Sequence, residues 1–406
     1  MKHKDDKKLI FQIFHTVPLL NCGYGYRVLA LSDYLRKKGY RVVLMSAGVI
    51  DDSARHFLVN HYDEIITRGK PSGWLKRLFR KLALFKLGYL LYLLSLKRIM
   101  LSPYLSNPEA CRAMPIDFIW LVRKMARQHG PAAVIGHCYF SCSCFPFLPR
   151  GVSKIVDTLD VFSQKKSKIV DMHGIQSDYC VSQETEAKFL GSADQILAIQ
   201  EDELSLLQQM LPQKKVTLVG VHVEAKSVAG CKTDDNLVLV VASDNKLNIA
   251  GVEGFLRNVW PDVIKNNSQS RLKIIGKVGE RVAHLVDDQS IEVVGWVKNL
   301  SVEYARAAIV VNPTFAGTGL KIKSVEALAF GKPLIAWPSG VEGFPSADTE
   351  PYLVCNSWTD FSLFIKQLQS SKKERGKRER QARQYAKQVF SEERAYGSLS
   401  ELVKEV

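Results

Sequence analysis

The sequence predicts an α/β protein of two doubly wound domains with a cleft between them. Three observations carry this. The chain has 406 residues, more than a single hydrophobic core usually serves. Short apolar segments alternate with segments of helical periodicity; the alternation stops over residues 223–235 and then restarts. In the second half, a glycine-containing loop with two lysines joins a strand to a helix, and such loops are where open parallel sheets take ligands.

The composition is that of a soluble globular chain, 46% hydrophobic and 24% charged, with no repeat at a solenoid period. The basic N-terminus runs into a short apolar stretch interrupted by Gln12 and His15. It reads as a first strand, not as an export signal. The eight cysteines are therefore expected as free thiols in a reducing cytoplasm. Cys138, Cys142 and Cys144 beside His137 match no common zinc spacing, so packing is expected there and no metal.

In chain order, LIFQIFHTV reads as the first strand. A helix from Arg27 stops at Gly39, and RVVLMSAG, AAVIGH, SKIVDTLD, ADQILAI and VTLVGV are further strands. These make an N-terminal domain, 1–222. Residues 223–235 are small, polar and linker-like. Then LVLVVAS, the helical GVEGFLRNVWPDVIKN, RLKIIGK, IEVVGW, AAIVVNP, a helix after Gly319 and KPLIAW make a C-terminal domain, 236–380. Residues 381–406 read as a closing helix. Strands alternating with helices give parallel sheets covered on both faces.

The strand-to-helix loop is PTFAGTGLKIK, from Pro313. Gly317, Thr318 and Gly319 allow a ligand close to the backbone. The following helix offers free N–H groups and a partial positive charge, which suit phosphate. Lys321 and Lys323 add full charges where cations disfavour the helix itself, so an anion is expected there. Glu326, one to two turns on, can accept two hydrogen bonds from a vicinal diol such as a ribose. Together they suit a nucleoside diphosphate. The competing reading is a plain connection with solvated lysines. Neither the Walker pattern nor a complete G-x-G-x-x-G is present.

The stretch GTGLKIKSVEALAFGKPLIA, from Gly317, followed by GVEG from Gly340, closely resembles the nucleotide-sugar loop and helix of the family-4 (group 1) glycosyltransferases. VGWV from Val294, with Asn299 and Leu300, resembles the segment that contacts the base. VASDNKLN from Val241 resembles the start of the family's C-terminal domain. ARQYAKQVFSEERAYGSL resembles its closing helix, which crosses back over the N-terminal domain, and NCGYGYRVLALSDYLRKKGYRV from Asn21 resembles its first loop and helix. The resemblance implies a GT-B fold of two facing Rossmann-like domains. It also implies metal-independent, retaining sugar transfer from a UDP- or GDP-sugar, with no cofactor. Donor contacts are then expected from Gly317, Thr318, Gly319, Leu320, Lys321, Glu326, Lys246 and Val297.

Three departures matter. The family places a glutamate eight residues before Glu326, where this chain has Thr318. An Arg and a Lys common in the family are replaced near Ser243 and Asn248, with Lys246 between them as a phosphate contact or a solvated loop lysine. DTLDVFSQK, from Asp157, resembles a D-T-H-D-V-F-S segment with Leu159 at the histidine. His137, Asp157 and Asp160 remain as catalytic candidates that orient an acceptor hydroxyl. His137 reads equally as a strand-end histidine bonded to backbone, and Asp160 as a helix N-cap. Gly23, Gly25 and Arg27 follow the first strand and converge on the cleft, or serve the backbone alone.

Between Ile65 and Pro108 stand nine Lys or Arg and no acid. Within residues 69–105, Trp74, Leu75, Leu78, Phe79 and Leu82 repeat at helical spacing opposite Lys76, Arg77, Arg80 and Lys81. That suits an in-plane helix on an anionic membrane and an acceptor carried on lipid; the other reading is a pair of helices packed on the domain. The apolar run is too short to span, which takes about 20 residues. Nucleic acid is not expected, since no stacking pattern interleaves the cations. The function expected is a glycosyltransferase of cell-surface polysaccharide or lipopolysaccharide synthesis, cytoplasmic and peripheral to the membrane. The alternatives are a non-catalytic nucleotide-sugar-binding scaffold and, more weakly, a sugar-nucleotide epimerase.

Overall fold

The structure, a computed structural model, describes residues 7–19, 23–68, 104, 107–175, 180–224, 230–297, 299–347 and 350–405. β1 Leu9–Phe14, β2 Arg41–Ser46, β3 Glu64–Thr67, β4 Ala133–His137, β5 Ser153–Asp157, β6 Gln195–Ala198 and β7 Lys215–Leu218 form one parallel sheet in the order β3-β2-β1-β4-β5-β6-β7. β8 Asp234–Val241, β9 Arg271–Ile275, β10 Ile291–Val294, β11 Ala307–Asn312, β12 Leu334–Ala336 and β13 Tyr352–Val354 form a second, in the order β10-β9-β8-β11-β12-β13. Each is the doubly wound arrangement. The order reverses between β1 and β4 and between β8 and β11, and loops diverging at such a point open a crevice above the strand ends. β4 and β11 are buried at every position, which explains why they are apolar up to their last residues, His137 and Asn312.

Two strands were not expected. β3 and β13 are the outer edges of the two sheets, four and three residues long, and edge strands this short leave little pattern to detect. The helix expected over GVEGFLRNVWPDVIKN is two, Lys246–Asn258 and Trp260–Asn266. Pro261 stands in the first turn of the second, where a missing N–H costs no hydrogen bond.

The single closing helix expected over 381–406 is also corrected. Helix Lys372–Val389 buries Ala382, Tyr385, Ala386 and Val389 in the C-terminal core beside helix Ile322–Ala329. The chain crosses only after Phe390. Ser391 accepts from the Arg394 N–H and caps a second helix, Glu392–Lys404. That helix puts Tyr396, Leu399, Leu402 and Val403 into the N-terminal core. Tyr34 and Tyr40 tie it down, donating to the carbonyls of Tyr396 (3.1 Å) and Val403 (2.9 Å). β8 starts at Asp234, inside the stretch expected to be linker.

Among the described residues no helix is long and apolar enough to cross a membrane. The basic segment 69–105 lies outside the described residues, apart from Tyr104.

Candidate functional site

A cleft of about 2000 Å³ lies between the two sheets, lined from both domains. The loop after β11 forms its C-terminal wall. Asn312, the last residue of β11, pins the loop at both ends: its Oδ1 accepts from the Thr314 N–H (3.3 Å) and its Nδ2 donates to Ser324 (2.9 Å) in the next helix. Gly317 and Gly319 hold φ of 139° and 69°, a region open to glycine at little cost. Helix Ile322–Ala329 starts at Lys321 with no side chain capping it, so its first N–H groups are free for a ligand.

Lys321 and Lys323 both face the cleft, and neither is merely solvated. Lys321 donates to the carbonyls of Thr318 (2.9 Å) and Gly319 (2.7 Å). Lys323 donates to Asn248 Oδ1 (2.8 Å) and Thr314 Oγ1 (2.7 Å). Burial pushes the Lys321 ammonium down, against the pull of Glu342 and Asp160. Burial, and then the neighbouring Lys321, push Lys323 down to about 7. Two cations held together at this desolvation cost mark a place prepared for an anion. Burial pushes the Glu326 carboxyl up to about 7, and Tyr304 donates to its Oε2 at 3.2 Å.

The other expected donor contacts lie on the same wall. Lys246 opens helix Lys246–Asn258, exposed at the cleft edge. The Ser243 and Asn248 side chains bond each other at 3.0 Å beside it. Val297, Leu300 and Leu320 line the cleft with Trp296, which is 70% exposed.

Of the three N-terminal candidates only Asp160 reaches the cleft. It caps no helix. Its Oδ2 accepts from Thr318 Oγ1 (2.7 Å) and from the Tyr24 hydroxyl (3.1 Å), with Lys165 Nζ at 3.6 Å. Lys165 is itself held 3.8 Å above the Phe162 ring, a favourable cation–π position. Tyr24, Lys165 and Thr314 escaped the sequence reading, because hydroxyls and lone lysines carry no signature without the fold.

Asp157 and His137 lie beneath the cleft, fully buried. Asp157 receives Arg27 Nη2 (2.6 Å) and Nε (2.9 Å) on one oxygen and faces His137 Nδ1 (3.0 Å) with the other. Burial alone would raise this carboxyl, but Arg27 and His137 outweigh it and hold it below its usual value. Arg27 also donates to the Gly220 carbonyl (2.5 Å). The Arg27 guanidinium thus braces the domain floor. His137 and Asp157, expected to orient an acceptor, lie in this buried network away from the cleft lining, while Arg27 joins the network and also lines the cleft.

Gly23 and Gly25 fall in the first turn of helix Gly23–Lys37, not in a loop before it. A Cβ on Gly25 would sit 1.9 Å from the Leu19 carbonyl oxygen, so only glycine fits there. One on Gly23 would press on Ile322 of the opposite domain at 3.0 Å. Cys138, Cys142 and Cys144 sit in the N-terminal core, and burial pushes their thiols up. Among the described residues no group of three His, Cys, Asp or Glu could hold a metal ion.

Residues 235–370 match the family model Glycosyl transferases group 1. The C-terminal domain is a group 1 glycosyl transferase domain. The whole chain shares its fold with solved glycosyl transferases. One is a sucrose-phosphate synthase from Thermosynechococcus elongatus, 15% identical with a TM-score of 0.73, covering 98% of this chain and 99% of that one. Another is HepE of Anabaena in complex with UDP and glucose, 11% identical, TM-score 0.68, covering 98% and 100%. A third is a glycosyltransferase from Rickettsia africae, 12% identical, TM-score 0.61, covering 99% of each. At these identities the likeness establishes the GT-B fold. No curated protein matches the chain in sequence.

Proposed function

We propose that this chain is a retaining glycosyltransferase. It moves one sugar from a UDP- or GDP-sugar to a glycan or lipid-linked acceptor in cell-surface polysaccharide or lipopolysaccharide synthesis. The supporting observation is the group 1 domain's own cleft, in which Lys321, Lys323, a free helix N-terminus and Glu326 lie within two helical turns. Breaking the bond to the anomeric carbon leaves negative charge on the diphosphate. The two lysines, held at the cleft wall by Thr318, Gly319, Asn248 and Thr314, and the helix N–H groups would receive it, which is how a preorganised site lowers a barrier. In this reading the lysines, not a bound cation, carry the leaving group's charge. Glu326 takes the ribose diol, and the Trp296–Val297 wall takes the base. The Anabaena structure's complex with UDP and glucose supports this donor class.

A thermal-shift screen of UDP-, GDP- and matching nucleotide sugars with EDTA present tests this. At a hundredfold excess over Kd the right donor stabilises by about 2.7 kcal/mol, a rise of several degrees. Lys321→Ala and Glu326→Ala are each expected to remove most of it. The proposal fails if no nucleotide sugar shifts the wild-type protein and none is slowly hydrolysed.

The same reading places the enzyme at the inner membrane face through residues 69–105, supported by their cations and Trp74. Sedimentation with vesicles is expected to need anionic lipid and to weaken with salt. Equal recovery with neutral vesicles would rule the placement out.

A further inference from the structure

Asp160 carries more than its hydrogen bonds use. It is 2% exposed. Its Oδ2 is saturated by Thr318 and Tyr24, with Lys165 nearby. Its Oδ1 is buried and has no hydrogen-bond partner among the described residues. A buried carboxylate oxygen without a donor is costly, more so than a neutral acceptor. That oxygen faces the glycine loop. A Cβ on Gly319 would lie 3.4 Å from it, and 3.6 Å from the Leu159 carbonyl.

The backbone before it is also unusual. Leu159 holds φ of 58°, a left-handed conformation that costs a non-glycine residue about 1–2 kcal/mol. The residue that turns the chain there is followed directly by the carboxylate that points across the cleft. Strain of this kind persists where the surroundings fix it, and commonly at ligand clamps.

Resting on the donor-site reading above, we infer that Asp160 reads a hydroxyl of the donor sugar from the opposite domain. The ligand class is a sugar with a free hydroxyl at the position that meets Oδ1. The nucleotide half of the donor binds to the C-terminal domain alone, through Lys321, Lys323 and Glu326. The sugar half is recognised only where the 317–319 loop and Asp160 meet. The Thr318–Asp160 hydrogen bond joins the domains in that register, and 158 residues of chain separate its two ends. Sugar recognition and domain closure are then one event.

The consequence is a separation of nucleotide affinity from sugar affinity. The experiment compares UDP and GDP with UDP-glucose and GDP-mannose, or with whichever nucleotide sugar the thermal screen selects, by calorimetry and steady-state kinetics. Asp160→Asn keeps the shape and removes the charge. It is expected to leave nucleoside-diphosphate affinity within about twofold. Nucleotide-sugar affinity is expected to fall about 10- to 100-fold, the usual effect of losing a hydrogen bond to a charged group, with donor KM rising more than kcat falls. Thr318→Glu alone places a second carboxylate against Asp160 and is expected to weaken the donor. Combined with Asp160→Asn, it restores a carboxylate to the same spot and is expected to recover much of the loss. Equal weakening of nucleotide and nucleotide sugar by Asp160→Asn would overturn the inference. So would no weakening of either, or no recovery in the double variant. Failure of wild-type protein to bind UDP or GDP at all removes instead the donor-site reading on which it rests.

Discussion

Arg27→Ala is expected to lower the unfolding free energy by about 3–5 kcal/mol, the cost of leaving one member of a buried ion pair alone. Asp157 has no exposure and receives the guanidinium through two nitrogens. Without it, only His137 faces the carboxylate. For a domain of this size the loss corresponds to a fall of about 6–20 °C in Tm. The sign of the pH dependence identifies the cause. In the wild type Asp157 titrates below its ordinary value. Its contribution is therefore present above the unfolded pKa, near 4, and fades as pH falls through the folded pKa. In the variant only His137 opposes burial, so the carboxyl titrates higher than in the wild type and the stability that ionised Asp157 contributes above about pH 4 shrinks. The gap between the two proteins must widen from pH 4 to pH 7. Thermal denaturation at both pH values measures it, and a constant gap would mean that lost packing, not an orphaned charge, is responsible. Arg27→Met with Asp157→Leu removes both charges and is expected to restore most of the stability.

This network also shows where sequence reading stops. The alternation of apolar strands and helices carried the doubly wound character of both domains, because buried parallel strands must be apolar at nearly every position. The loop from Gly317 to Glu326 was legible for a similar reason: glycines, lysines and an acid stood close together in one segment, and their local spacing placed them on one helix end. Asp157 and Asp160 were not separable. They are three residues apart in one strand-end segment, yet one is buried under an arginine and the other looks into the cleft. What divides them is the left-handed turn at Leu159, which the sequence does not announce. Tyr24 and Lys165 meet Asp160 through the packing of the N-terminal domain on itself, and Thr318 meets it only because the two domains face each other. Contacts of that range depend on the relative placement of the sheets, and no local pattern encodes it. The edge strands and the break at Val259 were missed for the opposite reason, being local but too short to show a period.

Donor affinity is expected to follow a bell-shaped pH profile centred near neutrality, because two of the groups that would hold the nucleotide, Lys323 and Glu326, are displaced toward each other. Lys323 is pushed down to about 7 and Glu326 up to about 7, both chiefly by burial. The diphosphate requires the ammonium, so affinity should fall as pH rises above 7. Each further pH unit then costs about tenfold in the charged fraction. The ribose diol donates its hydrogens to a carboxylate, so affinity should also fall as pH drops below 7 and Glu326 takes up a proton. Binding shifts both groups back: the anion raises Lys323 and the diol lowers Glu326. Titration calorimetry from pH 5 to 9 with a nucleotide sugar measures the profile, since its diphosphate has no group of its own that titrates there. Each limb belongs to one residue. Lys323→Met should leave only the rising acid limb, and Glu326→Gln only the falling alkaline one. A limb that survives loss of its assigned residue would show that another group sets it. A flat wild-type profile would show that neither side chain touches the donor in the way the cleft is built to allow.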